Sequence, residues 1–90
     1  MPSRLHVFLS GRVQGVFLRA WAKTQADKLG LTGLARNLPD GRVEIIAEGK
    51  KENLAKFLGL LKKGPPAARV EEAAVKLETS QRNFREFNTE

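Results

Sequence analysis

Two helical stripes, each set between segments of alternating polarity, leave this chain few ways to fold. The second stripe is the cleaner one. Leu54, Phe57, Leu58 and Leu61 fall at i, i+3, i+4 and i+7, which is one face of a helix. Glu52 near its start and Lys62 and Lys63 near its end suit the dipole of a helix over residues 51–63. Gly64-Pro65-Pro66 stops it. The first stripe, Leu18, Ala22, Gln25, Ala26 and Leu29 with Trp21 beside it, predicts a helix over residues 18–29, with Gly30 to end it. Between the stripes, residues 34–38 and 42–48 read as strands joined by Pro39-Asp40-Gly41. Proline presets its φ, aspartate bonds nearby backbone and glycine accepts a positive φ, so this is a hairpin turn with a mechanism.

The flanks supply the remaining strands. Leu5, Val7 and Leu9 alternate before the first helix, and Phe8 suggests that the second face is partly covered as well. Gly11 and Gly15 punctuate the loop that follows. After the second helix, residues 68–78 carry Ala73, Val75 and Leu77 in alternation, with Val70 out of step, the pattern of a bulge. Phe84 and Phe87 suggest a short final strand, although at three apart alternation cannot put both on one face. The order β-α-β-β-α-β is that of an α+β, ferredoxin-like split βαβ sandwich (βαββαβ), an antiparallel sheet with two helices packed on one face. At 90 residues the expectation is a single domain over 1–90. Many unrelated activities use this fold, so function has to come from the site.

Several chemistries drop out on composition. There is no cysteine, which removes disulfides, thiolate zinc sites and a cysteine nucleophile and suits a reducing compartment. His6 is the only imidazole, so no histidine-built metal centre is expected. Apolar runs reach about five residues against the ~20 needed to span a bilayer. Met1-Pro2-Ser3-Arg4 lacks the apolar stretch of a secretory leader. The expected location is cytoplasmic, with no membrane partner. A net charge of +6 reads either as affinity for anions or as plain solubility, because the basic residues are spread along the chain.

Chemistry concentrates in Gly11-Arg12-Val13-Gln14-Gly15-Val16-Phe17-Leu18-Arg19. This stretch links a strand to a helix N-terminus, where backbone N–H groups are unpaired and carry the positive end of the helix dipole. Two glycines permit the positive φ angles that turn successive N–H groups inward as an anion nest. Arg12 and Arg19 bracket the loop and offer guanidinium forks to a phosphate. It is not a Walker A loop, since three residues, not four, separate the glycines, and Val13 stands where a dinucleotide loop needs glycine.

Gly11 to Phe17 with Arg19 resembles the signature loop of the acylphosphatase family. A second block in register, Leu29-Gly30-Leu31-x-Gly33-x-x-Arg36-Asn37-x-x-Asp40-Gly41-x-Val43-Glu44, extends the resemblance. So do Glu48-Gly49 and Gly64-Pro65-Pro66-x-Ala68-x-Val70. It covers about residues 5–84. The resemblance implies hydrolysis of the carboxyl–phosphate bond of small acyl phosphates. Arg19 then binds phosphate, Asn37 positions the attacking water, and Arg12, Val13, Gln14, Gly15, Val16, Phe17 and Leu18 form the phosphate-binding loop. It also implies no metal or organic cofactor, inorganic phosphate as product and inhibitor, and a monomer. Leu18 replaces the aromatic residue that many relatives have before the catalytic arginine, and the tail from Thr79 onward departs from the commoner ending.

Topology supports the pairing of Arg19 with Asn37 without the family. In a split βαβ unit the first two strands run parallel with one strand between them, about 10 Å apart. The loop after strand one and the end of strand two therefore share an edge of the sheet. Taken singly, Arg19 also reads as a solvated first-turn arginine, Asn37 as a turn residue before Pro39, and Arg12 as a surface charge. His6 reads as filling space on a strand, Trp21 and Phe57 as core or rim packing, and Asp40 as a turn residue. The same element order in a basic chain also fits an RNA-recognition module. Such a module stacks bases on aromatic residues of its central strands, whereas residues 42–48 carry none and include two glutamates. No nucleic-acid partner is expected. A non-catalytic regulatory or maturation-factor domain is the other alternative; without a cysteine zinc motif, a stand-alone enzyme is the simpler reading.

Overall fold

A computed structural model describes residues 2–90. The elements are β1 (Ser3–Arg12), α1 (Leu18–Lys28), β2 (Thr32–Asn37), β3 (Val43–Gly49), α2 (Lys51–Lys63), β4 (Arg69–Thr79) and β5 (Phe87–Thr89). The sheet order is β4-β1-β3-β2-β5. Strand β3 is antiparallel to both β1 and β2, so β1 and β2 run parallel with one strand between them. The fold is the α+β, ferredoxin-like arrangement, and the C-terminal ends of β1 and β2 share one edge.

The sheet is mixed, not purely antiparallel as expected. Strand β5 runs parallel to β2, with Gly33 opposite Phe87. Residues 80–86 link β4 on one edge of the sheet to β5 on the other, and on the way the Gln81 N–H donates to the Glu48 carboxylate at 2.8 Å. The two tail phenylalanines serve different faces. Phe87 is fully buried and meets Phe57 edge to face at 5.9 Å. Phe84 lies before the strand, with the Arg4 guanidinium 5.7 Å from its ring centre.

Strand β1 also outruns its expected end. Ser10 faces Glu72 and Gly11 faces Val70, so Glu71 is the extra residue of a bulge, in line with the phase break at Val70. Gly11 is thus part of the strand and not of the loop. Its φ is +115°, and a Cβ there would stand 2.3 Å from the Arg69 carbonyl oxygen. Only glycine fits beside the bulge.

Both helices cover one face of the sheet. Leu5, Val7 and Leu9 of β1 and Val43, Ile45 and Ala47 of β3 point into a single cluster with Leu18, Ala22 and Ala26 of α1 and Leu54, Phe57 and Leu61 of α2. Trp21 and Leu58 pack at its rim. The other face is a layer of paired charged and polar side chains. Arg4 Nε meets Glu48 at 2.9 Å, and Glu44 takes His6 at 2.6 Å and Arg36 at 2.5 Å.

Candidate active site

The turn between β1 and α1 is residues 13–17. Its apolar side chains anchor it, with Val13 and Val16 both buried. Two left-handed residues give it shape: Gly15 at φ 73° and Phe17 at φ 58°, ψ 23°. Among the described residues, the N–H groups of this turn donate to no protein acceptor. The Phe17 carbonyl accepts from the Trp21 N–H at 3.0 Å, which closes the first helical turn. Among the described residues no side chain caps α1 and no acidic residue sits in its first turn, so no protein group offsets the positive end of the helix.

Expectation and structure differ on which residues build the nest. Gly11 belongs to the strand, and the second left-handed position is Phe17 instead. Its ring is 86% exposed.

Gln14 does not point at the cleft. Its side-chain nitrogen donates to the main-chain carbonyls of Leu38 and Arg42, each at 2.9 Å. The loop is thereby bonded to the β2–β3 turn, directly beside Asn37. That turn is held by Leu38 N–H to the Arg42 carbonyl at 2.8 Å and by the Asp40 carboxylate, which accepts from Arg42 N–H at 3.0 Å and Arg42 Nε at 2.8 Å. The Arg42 main-chain N–H, followed by its guanidinium, holds the Asp40 carboxyl below the usual carboxylate range. Asp40 is accordingly a turn residue.

Of the expected site residues, Val13, Gly15, Phe17, Leu18, Arg19 and Asn37 line one cleft of about 370 Å³, at the small end of ligand sites. Thr89 of β5 completes it. Gln14 and Val16 support the loop from behind. Arg12 is exposed and pairs with Arg69 of β4 at the end of β1; it is not among the lining residues. Asn37 ends β2 opposite Val43, exposed, and its side chain makes no hydrogen bond among the described residues. Arg19 Nη1 donates to the main-chain oxygen of Glu90, and Lys23 Nζ to that of Phe87 at 2.6 Å. Helix α1 therefore clamps the last strand and part of the cleft wall. The sequence gives no signal for these contacts, because the acceptors are main-chain atoms. Among the described residues, no group of three or more His, Cys, Asp or Glu side chains is placed to hold a metal.

The split βαβ sheet with two helices on one face is a small ferredoxin-like α+β domain; at its β1/β2 edge lie a helix N-terminus without a side-chain cap, a guanidinium and an amide side chain that is unbonded among the described residues. The acylphosphatase family model matches residues 5–89. The acylphosphatase of Thermus thermophilus is 59% identical over 75 residues, 83% of this chain and 84% of that one. The acylphosphatase of Methylococcus capsulatus is 50% identical over 84 residues, 93% of this chain and 91% of that one. In three dimensions, the crystal structure of acylphosphatase from Bacillus subtilis superposes with a TM-score of 0.93 at 35% identity, covering 98% of each chain. The chain belongs to the acylphosphatase family.

Proposed function

We propose that this cleft is where the chain, a hydrolase of acyl phosphates, binds the phosphoryl group and delivers water to it. The turn amides and Arg19 hold the phosphate, and Asn37 aligns the water. The observation that carries this reading is the meeting, in one cleft, of the N-terminus of α1 and the end of β2, the first offering N–H donors and the second an amide that have no partner among the described residues.

The chemistry matches those groups. Water oxygen attacks phosphorus in line, the bond from phosphorus to the acyl oxygen breaks, and its electron pair leaves with the carboxylate. A carboxylate is a weak base and needs no proton from a general acid. The water's proton passes to an oxygen of the substrate. What remains for the protein is positioning and stabilisation of charge on the equatorial oxygens. Arg19 has five N–H donors, so the bond to Glu90 leaves most of them for the anion. No step calls for a metal or organic cofactor. Gln14 keeps the turn and Asn37 at a fixed separation.

The same reading makes inorganic phosphate a product and competitive inhibitor, the partner a small molecule and the working form a cytoplasmic monomer. No helix among the described residues is long and apolar enough to cross a membrane. Nucleic acid is not a partner on this reading: β3, where an RNA-recognition module would stack bases, carries Glu44 and Glu48.

The test is hydrolysis of a synthetic acyl phosphate beside an ordinary phosphate monoester, with millimolar inorganic phosphate added in a second series. Selective cleavage of the acyl phosphate, competitively inhibited by phosphate, is the expected result. Equal cleavage of both, or indifference to phosphate, would sink the assignment.

A further inference from the structure

We propose that the free edge of β4 is a docking surface for a second copy of this chain, which adds its own β4 antiparallel to the first about a two-fold axis at Leu77.

Strand β4 lies at one end of the sheet order. It pairs with β1 on one side, and among the described residues no strand covers the other. Main-chain N–H and C=O groups along that side are therefore open to a further strand. Residues 74–77 are exposed in succession, and they include Val75 at 43% and Leu77 at 54% exposure. Val75 and Leu77 stand opposite Val7 and Leu5, so they belong to the face that carries the helices. Helix α2 leaves them partly uncovered. Between it and β4 runs an apolar groove of about 500 Å³, walled by Leu5, Leu54, Leu58, Val75 and Leu77, with Lys51 at its rim.

Charges on the other face of β4 select the occupant and its register. Glu72, Lys76 and Glu78 share that face, opposite Ser10, His6 and Arg4 of β1. Like charges directly opposite each other destabilise a strand pair, and unlike charges favour it. A second β4 centred on Val75 sets Glu72 opposite Glu78, and one centred on Lys76 sets lysine opposite lysine. Centring on Ala74 brings Leu77 to Glu71, the bulge residue. Centring on Leu77 packs leucine against leucine and, by symmetry, sets Lys76 opposite Glu78 twice. Within one chain Lys76 Nζ reaches Glu78 only at 3.7 Å, so the second copy offers each charge a further partner. The strand is thus self-complementary in this register. Each copy contributes chiefly residues 75–79, far fewer than the roughly 20–30 residues a side of a standard interface, so the association is weak. At the concentrations of a turnover assay the chain is monomeric. The cleft lies toward β2 and β5, away from β4, and stays open in the dimer.

Sedimentation equilibrium of the native chain, from micromolar to millimolar concentration, is expected to show a reversible monomer–dimer equilibrium with a Kd of roughly 10⁻⁴–10⁻³ M. Lys76→Glu sets like charges opposite each other twice and should weaken the dimer at least about tenfold. Lys76→Glu combined with Glu78→Lys should restore it. Acyl-phosphate turnover of these variants stays at the native value, since neither residue lines the cleft. A second measurement does not depend on charge. The chain contains no cysteine, so one introduced thiol reports on the axis alone. Leu77→Cys, opposite itself in the dimer, should be joined into a covalent dimer by a short bis-maleimide. Glu72→Cys should not, because its two copies lie about 30 Å apart at ~3.3 Å per residue. A native chain that stays monomeric to millimolar concentration leaves the edge to some other strand and overturns the proposal. So would assemblies larger than a dimer, a charge exchange that fails to restore association, or cross-linking of Glu72→Cys as readily as Leu77→Cys.

Discussion

Arg19 stands at the meeting of two demands. One nitrogen of its guanidinium donates to the Glu90 main-chain oxygen, which fixes the plane of the fork beside the turn amides. A lysine there would supply charge without that fixed plane. Arg19→Ala is expected to lower kcat/KM for an acyl phosphate by at least ~10²-fold, the usual consequence of losing one donor to a developing oxyanion. The measurement is steady-state turnover on protein shown to be folded by circular dichroism, and near-native turnover contradicts the role. Asn37 has the opposite profile. Its side chain is bonded to nothing among the described residues, so it is free for a solvent molecule. Asn37→Ala should lose kcat while the inhibition constant of inorganic phosphate stays near its native value. Loss of phosphate affinity instead would make Asn37 a ligand of the anion and not of the water.

Between elements, two contacts decide whether those residues meet. The first is Gln14, which bonds the loop to the β2–β3 turn. Leu38 and Arg42 carbonyls also accept from Gly41 and Leu38 N–H groups within the turn, so Gln14→Leu leaves neither carbonyl orphaned. The loss in stability should be about 1–2 kcal/mol by urea denaturation. The loss in kcat/KM should be larger, roughly tenfold or more, because small misplacements of reacting groups are costly. A variant that loses stability but no activity would show that the loop holds its place without this link. The second contact is β5. It is only three residues long, yet Phe87→Ala should cost about 3–5 kcal/mol, since it empties a buried site against Phe57; urea unfolding measures it, and a cost below ~1 kcal/mol would mean that the strand does not close the core. These two contacts also mark the limit of what could be read from residues alone. Helix α2 was legible to its ends because Leu54, Phe57 and Leu61 form a stripe and Gly64-Pro65 terminates it. That Arg19 and Asn37 would meet at one edge of the sheet was legible because two motif blocks and the parallel course of β1 and β2 agree. Gly11 misled, since glycine beside a bulge and glycine in a loop look the same in sequence. The direction of β5 was hidden because Phe84 and Phe87 serve different faces, and the partners of Gln14, Arg19 and Lys23 were hidden because a carbonyl has no letter.

Across the whole molecule, the face away from the helices sets how the chain responds to acid. Burial pushes the carboxyls of Glu44 and Glu48 up, but their partners outweigh it and both end below the ordinary value of 4.5. For Glu44 those partners are the hydrogen bonds and charges of His6 and Arg36; for Glu48 they are the Gln81 N–H, Arg4 and Ser80. A carboxyl whose folded-state pKa is depressed adds stability above its unfolded value, and that stability is lost as pH falls through the folded one. Melting temperature should therefore be nearly flat from neutral pH down to about 5 and then drop. With a net charge of +6 already present at neutrality, protonating these two groups also adds to self-repulsion and steepens the fall. The double variant Glu44→Gln, Glu48→Gln separates these causes. It removes the two titrations, takes from Arg4 and Arg36 their carboxylates and leaves His6 only the more distant Glu78 at 3.9 Å, and so should start less stable at pH 7 and lose less between pH 5 and pH 3 than the native chain. If its melting temperature falls through that interval as steeply as the native one, acid lability belongs to the exposed carboxylates and the buried layer is indifferent to pH.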